Sequence, residues 1–246
     1  MADWNAAQRL HEILEATKGM DASRPAREVW AWALGLDKED RAGLFRALAQ
    51  LDDLANEVEA SIESLPDARN DLYLINLPRI RKAIRLAQLE ASWETTHRQM
   101  LTDLALRDLQ FCADKLRTVQ HEERLPDDVL RDLAKQVDEL LEAVVAARDL
   151  DDELRKVLLT CLETFRRAIA DYRIRGGSGL RDAVVKTVGE LLTVRESVAK
   201  NSKHPVLKGL WMIVVKTETV LMKVMNYRQI ANAIRLALNP SDLGDV

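Results

Sequence analysis

The chain has 246 residues, with 36 Lys and Arg against 40 Asp and Glu and a net charge of −4. Nine glycines and six prolines are too few for collagen-like, linker-like or many-turned β architectures. A hydrophobic fraction of 47% supplies a core and excludes wholesale disorder, in a length that admits one or two domains.

Helical periodicity runs through almost the whole sequence and period-2 alternation is nearly absent. A first helix is predicted over about 4–18, capped by Asp3 and stopped at Gly19. A second starts near Ser23 to Pro25 and stops at Gly35, with Val29, Trp30, Ala33 and Leu34 on its apolar stripe. Trp30 and Trp32 are two positions apart and point in nearly opposite directions, so both cannot face one core. A third helix spans about 40–64 and ends before Pro66, with Leu44, Leu48, Leu51, Leu54, Val58 and Ile62 in series on its core face. Pro78 disfavours helix at Leu77, so NDLYLINLP (70–78) reads as a turn or as the first turn of a new helix.

Helix resumes over about 79–88, and a longer one is predicted over 92–120. The stretch HEERLP (121–126) is the best candidate hinge, dividing the chain into helical halves 1–121 and 126–246. Beyond it come helices over about 127–148 and 152–175, the second capped by Asp151 or Asp152. GGSG at 176–179 breaks the pattern, with Ser178 as the next N-cap. Two more helices follow, to about 199 and over 206–238. No internal repeat of 20–50 residues stands out. Short connections between long helices predict an all-α multi-helix bundle of about eight to nine helices.

The sequence offers little for catalysis. RIRGGSGL (173–180) lacks the Lys-Ser/Thr ending of a phosphate loop, and no strand precedes it. Arg173, Arg175 and Ser178 are nonetheless a candidate anion site, because free N–H groups at a helix start beside guanidinium groups suit a negative ligand. The plainer reading is a helix end followed by a helix start. Glu94 and His97 have the i, i+3 spacing of one half of a di-iron motif, but no second Glu-x-x-His exists and four histidines leave few ligands. No metal or other cofactor is expected. Cys112 and Cys161 fall in apolar helical stretches and read as buried thiols. The paired carboxylates lie at helix starts and on polar faces, where the helix dipole accounts for them. The chain is read as non-enzymatic.

Charge patterning says more. Residues 201–238 hold Lys203, Lys208, Lys216, Lys223, Arg228 and Arg235 against Glu218 alone, a net of +5 in an acidic chain. Lys208, Lys216, Thr219, Lys223 and Asn226 form one stripe, and apolar residues around Trp211 fill most of the remaining circumference. This is either a core helix with a solvated lysine edge or a helix that meets an apolar surface with an acidic fringe. On the second reading Lys208, Trp211, Lys216 and Lys223 contact a protein partner or a second copy of the chain, or else an anionic membrane surface. A second basic patch, RIRKAIR, carries Arg79, Arg81, Lys82 and Arg85. The pI near 5.7 and the low aromatic content argue against nucleic acid as its partner.

EVWAWALGL (28–36), DLYLINLPRIRKAI (71–84), LQFCADKL (109–116), AIADYRIRGGSGLRDAV (168–184) and VGELL (188–192) together resemble an uncharacterised family of bacterial all-helical proteins. The resemblance implies an accessory member of a multi-gene bacterial locus, including loci linked to phage defence. It carries over no catalytic residue and stops before the basic C-terminal segment. No signal peptide opens the chain and no stretch reaches the length of a spanning helix, so the expected compartment is the cytoplasm.

Overall fold

The structure, a computed structural model, describes residues 4–66, 69–85, 88–120 and 122–225, with side chains as far as Met222. Among the described residues there are nine helices of seven or more residues and no strand, so the fold is all-α. The chain forms two compact units, Met1–Glu122 with Arg173–Gly176, and Glu123–Tyr172 with Gly177–Val246.

The first unit is built on α1 (Ala6–Ala16), which packs against α2 (Ala26–Leu34), α3 (Arg41–Glu63) and α6 (Asp103–Leu116). The short α4 (Asn70–Tyr73) and α5 (Leu77–Arg85) lie on α6 and α3. Local chemistry fixes the ends. Asn5 accepts from the Gln8 N–H at 3.0 Å and is the cap of α1, whereas the expected cap Asp3 lies outside the described residues. Asp40 caps α3 through Gly43 N–H at 2.8 Å, and Thr102 caps α6 through Ala105 N–H at 3.3 Å. Gly35 stops α2 in the left-handed region at φ 71°. The Leu36 N–H then reaches the Ala31 carbonyl at 2.8 Å and the Gly35 N–H that of Trp32 at 3.1 Å. All six core residues expected on α3 are buried. Trp30 is buried and Trp32 is 51% exposed, the split their spacing requires.

The single helix expected over 92–120 is not formed. Instead Pro25 and Ser92 form a single antiparallel bridge just before α2, with Ala26 N–H on Ala91 O at 2.9 Å and Trp93 N–H on Arg24 O at 2.9 Å. The hydroxyls of Thr95 and Thr96 donate to the Ser92 carbonyl at 3.0 and 2.9 Å, competing with regular helix bonding. A single π-turn follows (Glu94–Arg98), and α6 begins only after Thr102. This geometry seats Trp93 edge-on to Trp30 at 5.2 Å and stacks it on fully buried His97 at 4.8 Å, an aromatic cluster inside the first unit.

The fold also buries a charge in this unit. Arg9, 2% exposed, donates to Glu57 and Glu122 at 3.1 and 3.0 Å and to the Ile174 carbonyl at 3.0 Å. Its guanidinium also lies 5.7 Å from the centroid of the Trp4 ring. Trp4 N–H bonds the Glu122 carbonyl at 2.7 Å, so the end of the first long segment and the inserted Arg173–Gly176 stretch meet at one cation.

The second unit packs α7 (Asp127–Ala146) on α8 (Asp152–Ala170), with α10 (Arg195–Lys200) on α8 and α11 (Pro205–Met225) on both α7 and α8. Asp151 caps α8 through Leu154 N–H at 2.8 Å. The helix expected to reach residue 175 ends at Ala170, and the Tyr172 hydroxyl, buried, accepts the Leu125 N–H at 2.9 Å. Within α9 (Tyr172–Thr193) the break falls on Gly176, at φ 58° and ψ −153°, a region open essentially to glycine alone. Gly176 therefore takes the role expected of Ser178, which sits inside the following helix. Val194 separates α9 from α10 where one helix was expected.

Candidate functional site

The basic segment singled out above forms α11, and one side of it is fully used by the second unit. Val206, Leu207, Leu210, Ile213, Val214, Thr217 and Leu221 are buried. The approach to α7 is close at Gly209, where a Cβ would come within 2.8 Å of Leu140 Cδ1. Trp211, expected as an anchor for a partner, is only 8% exposed and belongs to this interior.

The outward side is different. Met212, Val215 and Met222 are 58%, 55% and 39% exposed. With exposed Lys208 and Thr219 they fall within an arc of ~80° on the wheel and extend for ~21 Å along the helix. Lys216 flanks the strip and pairs with Asp132 of α7, and this bond holds the Asp132 carboxyl below the usual carboxylate range. The side chain of Lys223 and all of 226–246, including Asn226, Arg228 and Arg235, lie outside the described residues. Reasoning from periodicity missed the three apolar surface residues. Their wheel positions were legible, but a helix apolar around most of its circumference does not reveal which arc its neighbours leave uncovered.

The three members of the candidate anion site are divided. Arg173 and Arg175 belong to the first unit and Ser178 to the second. The α5 patch stays together. Arg81 pairs with Glu59 at 2.7 Å, and Arg85 holds Asp52 with both Nε and Nη2 at 2.8 Å. Asp52 in turn raises the pKa of Arg85. Arg79 turns away to donate to the Gln99 carbonyl. Pro78, Arg81, Lys82 and Arg85 line an open cleft of about 450 Å³.

Glu94 pairs with Arg98 at 2.5 Å while His97 lies in the tryptophan cluster, and no group of three or more potential metal ligands forms among the described residues. Cys112 and Cys161 are buried free thiols. Burial raises them to about 12 and about 11, well away from thiolate chemistry near neutrality. No helix among the described residues is long and apolar enough to cross a membrane. Comparison with protein-family models, with curated proteins and with solved structures returned no match.

Proposed function

We propose that the chain is a non-enzymatic interaction protein that binds a partner protein through the outward face of α11. The observation that carries this reading is the strip of Met212, Val215 and Met222, exposed on a helix whose other side is packed into its own unit. Apolar side chains set in a row on one helix face suit docking against a partner's apolar groove. Two of the three are methionines, whose flexible, polarisable side chains adapt to a contoured surface. Lys208 at the edge of the strip favours an acidic rim on the partner and fixes orientation more than affinity. The buried, protonated thiols and the engagement of His97 in an aromatic cluster support a binding role over catalysis. On the family resemblance, the partner is another product of the same bacterial locus, such as a phage-defence system, and the setting is the cytoplasm.

A photo-cross-linking residue at position 212, in full-length protein expressed with its neighbouring genes, tests this. One dominant protein adduct, lost when Val215 is changed to Glu, supports the reading. An adduct with a second copy of the chain would make the partner itself. Cross-linking to lipid, with flotation on anionic vesicles, would replace the reading with that of a membrane-acting effector.

A further inference from the structure

The α5 cleft lies in the first unit and plays no part in the α11 face. Its described lining is three cations and one proline, with no described carboxylate among them. The carboxylates that pair with two of the cations lie on α3 and are not among the described lining. Glu59 accepts from Nη1 of Arg81 at 2.7 Å, Asp52 lies 3.8 Å from Nε of Arg81 without a hydrogen bond to it, and Asp52 accepts from Nε and Nη2 of Arg85. They hold both guanidinium groups in place without filling the cleft. Toward described residues this leaves Nη2 of Arg81 and Nη1 of Arg85 unused. Lys82 is exposed and makes no ion pair with any described residue. Pre-positioned arginines lose less side-chain freedom when an anion arrives, and their planar N–H groups match phosphate oxygens.

We propose that this cleft binds a small polyphosphorylated anion, such as inorganic polyphosphate or the phosphate tail of a nucleotide. The volume of about 450 Å³ lies within the range of small-molecule sites. Arg81 and Arg85 stand four residues apart on the helix, a rise of ~6 Å, so their free donors with Lys82 reach across adjacent phosphates better than around one. The described lining has no aromatic ring. It therefore lacks the stacking platform with which proteins hold single-stranded nucleic acid, and recognition falls on the phosphates. Pro78 is the one apolar lining residue, too little surface to hold an acyl chain.

Titration calorimetry of the full-length protein with sodium tripolyphosphate, at fixed ionic strength, tests the proposal. The expected result is saturable binding of one equivalent, about tenfold tighter than orthophosphate and weakened at least about tenfold by Lys82→Glu, since reversing a free charge removes an attraction and adds a repulsion. Lys186→Glu, at an exposed position of the second unit, leaves the affinity unchanged. Lys82 is exposed and pairs with no described residue, so circular dichroism of Lys82→Glu matches the parent. Four results would overturn the proposal: no saturable binding, equal weakening by both variants, orthophosphate binding as tightly, or tighter binding to phosphatidylglycerol vesicles or to an oligonucleotide than to tripolyphosphate.

Discussion

Arg9 donates its Nε–H to the carbonyl of Ile174 at 3.0 Å, across 165 positions of sequence. The same guanidinium carries Glu57 and Glu122, so one buried cation satisfies the inserted Arg173–Gly176 stretch, α3 and the end of the first long segment. A guanidinium is suited to this because its donors point in several fixed directions. Arg9→Met removes the cation and leaves Glu122 partly buried without it. Because Glu57 is half exposed, its share is screened, and the expected loss is about 2–4 kcal/mol. Arg9→Lys recovers only part of it, for want of the fork. Urea unfolding measures the loss, and amide exchange is expected to rise first at residues 173–176.

Gly176 and Gly189 should respond to alanine in opposite directions. At Gly176 the backbone is at φ 58°, and a Cβ would meet Glu122 Oε1 at 2.6 Å and Arg9 Nη1 at 2.9 Å. Gly176→Ala is therefore expected to cost about 2–4 kcal/mol through strain and loss of the Arg9 geometry. Gly189 is exposed within α9, with nothing within 4 Å of a Cβ. Gly189→Ala should stabilise by ~0.5–1 kcal/mol by restricting the unfolded chain. Thermal melts of the two variants make the comparison.

Both thiols titrate above the ordinary value of 9.0, Cys112 to about 12 and Cys161 to about 11, chiefly because burial disfavours the thiolate. The folded state holds these protons more tightly than the unfolded state. Their contribution to stability is therefore complete below pH 9 and is lost as pH rises through the folded values. Unfolding free energy should fall between pH 9 and about 12, and the fall should shrink in Cys112→Ala. At pH 8 neither thiol should react with a disulfide reagent until the chain opens, so the labelling rate should track denaturant concentration.

Lys216 and Asp132 make a surface pair between α11 and α7. Because the bond lowers the Asp132 pKa, its contribution is present above the usual carboxylate range and disappears as pH falls through the folded value. In Lys216→Met the Asp132 titration should move back up toward 3.8, seen by carboxyl NMR, with little change in thermal stability.

Much of the helical layout follows from local pattern. The Leu44 to Ile62 series, the Gly35 stop and the cap at Asp151, one of the two positions expected, are each decided by residues within a turn or two. The departures have distant causes. Ser92 and Trp93 are tied to residues 22–25 by the Pro25–Ser92 bridge and by backbone hydrogen bonds, so the periodicity that continues through them has no authority there. α8 ends five residues early where Tyr172 turns to bond Leu125, and the following stretch is held by Arg9. The basic patch on α5 was visible as a charge run. That Asp52 and Glu59 pair with Arg81 and Arg85 while a cleft lined by the cations remains depends on how α5 lies along α3. The strip on α11 was hidden for a related reason, since only packing against α7 and α8 shows which apolar arc remains outside.

A partner-binding role for the chain stands on that outward arc of α11. Its most direct test is the affinity of the captured partner for a Met212→Glu, Val215→Glu double variant. Both positions are surface-exposed, so melting temperature should change little, within the ~0.5 kcal/mol usual for surface changes. The account predicts that affinity falls by at least about tenfold, as expected when charge is placed in the apolar centre of an interface. Unchanged affinity with an intact fold would contradict it and return α11 to the role of an internal support.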